Sequence, residues 1–206
     1  MRPTPDPSHA ARTGDASLHP SDALLPAYAR AVIAAALGGP EAQKPRDADL
    51  ARTASAFVTL HHPNGALQGC IGTIEPRGPL VDTVTDCARS AAFRDPRGVR
   101  LTREDVAHLF VEVSVLSPTE PIAFTDEASA RAALRVGVDG VVLDYRSHRG
   151  TFLPQMWPRL GDAATFLDEL KRKAGLPRDF WSPEIRLSRY TVTPYTDGEE
   201  PPLEDD

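Results

Sequence analysis

Cys70 sits between two glycines in the run Leu67-Gln68-Gly69-Cys70-Ile71-Gly72-Thr73. Glycine inside a strand marks a bulge or the close approach of another backbone or a ligand. Here Gly69 and Gly72 leave the thiol less shielded than branched neighbours would. A cysteine acts as a nucleophile only as thiolate, so it needs a base or a positive charge beside it. The preceding His61-His62-Pro63-Asn64-Gly65 supplies imidazole. Asn-Gly signals a two-residue type I′ turn, because both central positions need positive φ. That turn sets Pro63 against Ala66, His62 against Leu67, His61 against Gln68, Leu60 against Gly69 and Thr59 against Cys70. His61 and Cys70 then share a face as diagonal neighbours, about 7–8 Å apart, and His62 points to the other face. The chemistry this suggests is nucleophilic. Cys70 would be the nucleophile or carrier thiol and His61 its base, with Gln68 and Arg97 positioning a substrate. Packing is the competing explanation, since a free cysteine is often a small buried residue and the glycines let a sheet bend. A three-residue loop or a bulge would shift the register.

Other residues can be weighed the same way. Glu112 and Ser114 lie on the mixed face of an otherwise apolar strand, where a carboxylate serves as a base, an arginine clamp or an ordinary ion-pair partner. Arg97 follows Asp95-Pro96 in a turn and can meet an anion. Gln155 follows a strand end, where its amide orients a ligand or ties down the loop. His148 lies between Arg146 and Arg149, an anion site or a solvated basic turn. Trp157 and Trp181 suit core or partner contacts. Cys87 falls on the apolar face of a helix and reads as core; a disulfide to Cys70 is not expected in a reducing compartment. There is no Cys-x-x-Cys and no His-Glu-x-x-His, and the adjacent His61 and His62 point apart on a strand, so no metal is expected. No glycine-rich phosphate loop is present and no cofactor is expected.

The elements that must position these residues follow from periodicity. A helix is predicted over 25–37, opened by Pro26 and stopped by Gly38-Gly39-Pro40. Strands 56–60 and 66–74 form the hairpin. A helix over 79–93 buries Leu80, Val84, Cys87, Ala88 and Ala91. Thr102 and Asp105 make a capping box for a short helix to 109. Residues 110–116 alternate as a strand. Thr125 or Asp126 caps a helix to 134. Strands 138–145 and 151–153 make a second hairpin, a helix runs over 162–173, and 185–193 is a last strand. Hairpins without a repeating βαβ unit argue for an α+β fold with a mainly antiparallel sheet flanked by helices.

The 206 residues carry 23 basic and 29 acidic side chains. Six of the acids lie in the last ten residues, which hold no lysine or arginine, leaving 23 of each sign in residues 1–196. A neutral body argues against non-specific nucleic-acid binding. No run approaches the roughly 20 apolar residues of a membrane span. No apolar leader follows Met1, and two cysteines build no disulfide framework, so a cytoplasmic location is expected. Residues 1–20 and 197–206 read as disordered segments around a domain over 21–196.

Leu67 to Thr73 resembles the signature of the AMMECR-domain family, also called AmmeMemoRadiSam system protein A. The resemblance continues through Ala91-Ala92-Phe93-Arg94-Asp95-Pro96-Arg97, Val113-Ser114-Val115-Leu116-Ser117-Pro118, Gly150-Thr151-Phe152-Leu153-Pro154-Gln155 and Lys173-Ala174-Gly175-Leu176. It covers roughly residues 22–196. The family pattern usually has arginine where Gln68 stands and an aromatic where Gly98 stands. The resemblance implies an α+β domain with a smaller inserted subdomain and a cleft between them, with Cys70 and the Asp95-Pro96-Arg97 turn near that cleft. It also implies association with a Memo-like protein and a radical SAM protein. Two functions are compatible with it: a cleft-based enzyme or catalytic accessory using Cys70, or a non-catalytic binding or scaffold module.

Overall fold

The structure is a computed structural model and describes residues 20–198. The expected disordered segments therefore lie almost wholly outside the described residues. Their two inner ends are held: Pro20 begins a short 3-10 turn to Leu24, and the Asp197 carboxylate accepts from Arg30 Nε at 2.7 Å and from the Val111 amide at 3.1 Å.

The chain builds α1 (Leu25–Ala36), β1 (Ser55–His61), β2 (Leu67–Gly72), α2 (Leu80–Phe93), α3 (Arg103–His108) and β3 (Phe110–Leu116). It continues with β4 (Glu120–Pro121), α4 (Glu127–Ala133), β5 (Gly140–Tyr145), β6 (His148–Phe152), α5 (Trp157–Leu160), α6 (Ala163–Lys173), β7 (Arg186–Tyr190) and β8 (Val192–Thr196). Two four-stranded sheets result, ordered β2-β1-β3-β8 and β4-β7-β5-β6, and every strand pair is antiparallel. The fold is α+β.

The second sheet is an insertion between β3 and β8 of the first. The expected single strand over 185–193 is in fact two strands in different sheets, β7 and β8, broken at Thr191. The crossing is pinned locally: the Ser117 amide donates to the Thr191 carbonyl at 3.0 Å, and the Thr191 amide donates to Ser117 Oγ at 3.0 Å. The two connections to the inserted unit therefore lie side by side.

Each half has its own core. In the first, Leu25, Val32 and Ile33 of α1 and Val84, Ala88 and Ala91 of α2 cover Ala56, Val58, Leu60, Val111 and Val113 of the sheet. Truncating one of the leucines or the isoleucine among them to alanine costs about 2–5 kcal/mol. Asp105 closes the Thr102 capping box of α3, and Asp126, rather than Thr125, caps α4. In the second core Trp157 stacks on Phe166 at 3.9 Å and donates from Nε1 to the Asp139 carbonyl. Trp181 packs against Phe124. A third, small cluster joins the halves: Leu116 meets Val142 and Tyr190, with Phe57, Leu153 and Val192 against it. Beside it Arg149 of β6 pairs with Glu75, just after β2.

Candidate functional site

The helices cover one face of the first sheet, and the other face carries Ser55, Phe57, Thr59 and His61 from β1. Across the ladder Thr59 pairs with Cys70 on one side and Glu112 on the other. Paired residues of an antiparallel ladder point to the same face, so Cys70, Thr59 and Glu112 form one row across three adjacent strands. All three are half-buried. The second sheet leans on the Leu116 end of this face, four residues from Glu112 along β3, and leaves the row beyond the contact.

The hairpin reaches this register by a route other than the expected one. The His62 amide donates to the Ala66 carbonyl and the Gly65 amide to the His62 carbonyl, each at 2.9 Å. The loop thus has three residues, Pro63-Asn64-Gly65, with Gly65 alone at positive φ, +86°. His61 pairs with Leu67, not Gln68, and a bulge at Gln68 then restores Leu60 against Gly69 and Thr59 against Cys70. The added loop residue and the added bulge residue cancel. His61 and Cys70 share the face, with the His61 ring 6.4 Å from that of Phe110.

The bulge also decides where Gln68 points. In a regular strand Gln68 and Cys70, two apart, would share a face. Gln68 instead turns to the helix side and is 1% exposed. Its Nε2 donates to the Ala92 and Val99 carbonyls at 3.1 and 2.9 Å, and its Oε1 accepts from the Val99 amide at 3.2 Å. With both donors used, the same oxygen at 2.8 Å from His62 Nε2 makes that nitrogen the donor. Gln68 therefore ties the hairpin to the end of α2, on the opposite face from Cys70.

Gly69 lets β2 touch α2. A Cβ there would stand 2.2 Å from the Ala91 carbonyl oxygen. The contact brings the Asp95 carboxylate to the Cys70 backbone, whose N–H donates to it at 2.9 Å. The same carboxylate accepts from Arg97 Nε at 2.9 Å, Nη2 at 2.7 Å and the Arg97 amide at 3.0 Å. These bonds, the guanidinium first, hold the Asp95 carboxyl well below the usual carboxylate range. They also fix an Arg97 side chain that is itself 58% exposed. At the sulfur, Thr59 Oγ1 donates to Sγ at 3.2 Å. Ser114 Oγ donates to Glu112 Oε1 at 2.6 Å, which orients the carboxylate. Gly72 lies under the Phe57 ring, where a Cβ would come within 2.2 Å.

Other candidates go elsewhere. Gln155 lies inside the 3-10 turn Pro154–Met156, on the inserted unit. His148 Nδ1 is 3.0 Å from the Ala174 carbonyl oxygen, Arg146 pairs with Glu184 and Arg149 with Glu75 and Asp144, so the basic turn is neutralised by neighbours. Cys87, on α2, is buried against the sheet with its thiol towards the Ala56 carbonyl; both thiols are free. Burial pushes the Cys87 thiol up to about 11. Among the described residues no three histidine, cysteine or acidic side chains gather to hold a metal, and no helix is long and apolar enough to cross a membrane. Sequence reasoning did not name Thr59 or Asp95 as site residues, although the resemblance implied that the Asp95-Pro96-Arg97 turn lies near the same cleft as Cys70. Thr59 was legible from the register; Asp95 lies 25 positions from Cys70 and no local pattern links them.

Known proteins share this arrangement of chain. A Methanothermobacter thermautotrophicus protein is 44% identical over 136 residues, 65% of this chain and 70% of its own. The Pyrococcus horikoshii protein PH0010 is 38% identical over 162 residues, 75% of this chain and 78% of its own. The crystal structure of PH0010 superposes with a TM-score of 0.75 at 35% identity, covering 86% of this chain and 91% of that one. The AMMECR1 family model matches residues 26–195, and the chain belongs to the AMMECR1 family.

Proposed function

We propose that the protein is an enzyme or catalytic accessory that works through Cys70, acting together with the Memo-like and radical SAM proteins that the family resemblance implies. The observation that carries this reading is the setting of one residue. The Cys70 sulfur accepts the Thr59 hydroxyl while its amide is held by the carboxylate that fixes Arg97. A thiol and an oriented carboxylate then share one half-buried face, and a fixed cation lies at the edge strand beside them, bonded to the carboxylate that holds the Cys70 amide. In this reading the thiol proton passes to His61 and the sulfur electron pair bonds to an electrophilic atom of the substrate. The leaving group departs with its electron pair and takes the proton back from the imidazolium. Arg97 binds an anionic part of the substrate and Glu112 a donor group across Thr59.

A second reading, a non-catalytic scaffold, is favoured by one observation: Gln68, Gly69 and Gly72 all have packing reasons to be what they are. Iodoacetamide alkylation at pH 7, followed by peptide mapping, separates the two. Catalytic use predicts Cys70 labelling about tenfold faster than a free peptide thiol, slowed by Arg97→Ala, with the buried Cys87 unlabelled as internal control. Labelling no faster than the free thiol, with Cys70→Ser retaining activity in a system reconstituted with the two partners, would establish the scaffold instead.

A further inference from the structure

Among the described residues, Glu112 is the one carboxylate withdrawn from solvent that meets neither a cation nor a backbone N–H. The others pair with lysine or arginine, as Asp22, Asp139 and Asp168 do, or accept a main-chain N–H, as Asp47 and Asp105 do. Glu112 accepts only the Ser114 hydroxyl, on Oε1 at 2.6 Å. Ser114 is 1% exposed and lies two residues nearer the Leu116 end, where the inserted unit rests. A carboxylate taken partly out of water recovers that cost through a partner. Glu112 is therefore oriented by the fold but left without its counter-charge.

The surroundings limit what that partner can be. The Cys70 N–H points outward to Asp95. Thr59 and Cys70 are thus a non-hydrogen-bonded pair, and Thr59 and Glu112 a hydrogen-bonded one. The two Cα spacings, about 4.5 and 5.5 Å, put the backbones of Cys70 and Glu112 about 10 Å apart. The row continues to the exposed Thr196 of β8. The rows on either side carry Phe57 and the His61–Phe110 ring pair. A ligand lying along the polar row crosses Thr59 between aromatic side chains, which suits methylenes. A guanidinium bonds best to both carboxylate oxygens at once, and Oε1 is already engaged by Ser114. An ammonium is a point charge that needs only one.

We propose that Glu112 binds an ammonium at the end of an aliphatic chain, and that the substrate of Cys70 is an extended amine whose electrophilic atom lies about 10 Å from the nitrogen. The proposal rests on Cys70 as the reacting thiol and adds the substrate class to that reading. The α-amino group of an attacked amino acid, about 2.5 Å from its own carbonyl carbon, is too close to serve.

The test uses iodoacetamides carrying an aminoalkyl tail of two to six methylenes, each compared with its N-acetylated, uncharged counterpart. Labelling of Cys70 at pH 7 is read by peptide mapping, and each ratio of rates is normalised to that of a free peptide thiol. The five-methylene reagent spans about 10 Å from reacting carbon to nitrogen, the two-methylene reagent about 6 Å. The proposal expects a ratio of at least about five for the five-methylene tail, falling towards one for the two-methylene tail. The preference should vanish in 0.5 M salt and in Glu112→Gln. Salt and tail length are read on the unaltered protein, so a Glu112→Gln chain that does not fold leaves the proposal decided. A ratio near one at every length, or a preference that survives in folded Glu112→Gln, overturns it. The Cys70 reading fails separately, when the acetylated reagents label Cys70 no faster than the free thiol; the ratio between reagents does not depend on that rate.

Discussion

The Asp95 carboxylate holds the backbone of Cys70 and the side chain of Arg97 at the same time, at 2.9 Å and 2.7 Å. One buried anion thus sets both the position of the thiol-bearing strand and the direction of the cation beside it. Its chemistry gives a signed expectation. The folded carboxyl lies below its unfolded value of about 3.9, so the unfolded chain binds more protons as pH falls through that range. Asp95 therefore contributes its full stability above about pH 5 and loses it as pH falls towards its folded value. Asp95→Asn should cost about 2–3 kcal/mol at pH 7 by urea unfolding, discounted for the exposure of Arg97. The gap to wild type should narrow as pH falls from 5 to 2; a gap of the same size at both pH values would show that the charge is not what matters.

The two glycines beside Cys70 should respond differently to a methyl group. At Gly69 the obstacle is the Ala91 carbonyl, backbone inside a buried helix. Gly69→Ala should cost at least about 2 kcal/mol, with no side-chain substitution restoring it. At Gly72 the obstacle is the Phe57 ring. Gly72→Ala should destabilise too, and Phe57→Ala should relieve most of the added cost. A double-mutant cycle by thermal or urea unfolding reads the coupling. Additive costs at 57 and 72 would contradict the contact between ring and glycine.

Gln68 gives a separation of structure from chemistry. Gln68→Leu leaves the buried Ala92 carbonyl and the half-buried Val99 carbonyl without their donor and should cost about 2–3 kcal/mol. Because the amide lies on the helix side of the sheet, the alkylation rate of Cys70 should change less than about twofold under native conditions, whereas Arg97→Ala should slow it. A Gln68→Leu protein of wild-type stability would remove the anchoring role assigned to the amide.

Tyr190 sits where the two halves meet, 1% exposed, with its hydroxyl 2.8 Å from Thr151 Oγ1 and donating to the Phe152 carbonyl. Burial pushes its phenol up to about 12. The folded value exceeds the unfolded value near 10, so the stability Tyr190 adds is complete below pH 10 and declines as pH rises to 12. Tyrosinate absorbance at pH 11 should therefore differ by only about a tenth of one tyrosine between wild type and Tyr190→Phe. Tyr190→Phe should cost about 1 kcal/mol at pH 7. A full tyrosinate increment from Tyr190 at pH 11 in the folded protein would place the ring in water.

Sequence alone determined the elements whose signals are local. The apolar stripes of α1 and α2, the Thr102–Asp105 box, the alternation of β3 and the turn around Asn64-Gly65 all depend on residues within a few positions of each other. It also determined that Thr59 meets Cys70, though the loop and bulge that produce this pairing were invisible, because their two shifts cancel in the final register. Only the tertiary structure decided the rest. Residues 185–193 look like one strand because β-periodicity names a face and not a sheet; the break at Thr191 exists because Ser117 holds it. Gln68 faces away from Cys70 because α2 offers it carbonyls that a single strand cannot reveal. Asp95 joins Cys70 to Arg97 because glycine at 69 lets the helix end approach the strand, a contact between segments distant in the chain that no local pattern encodes.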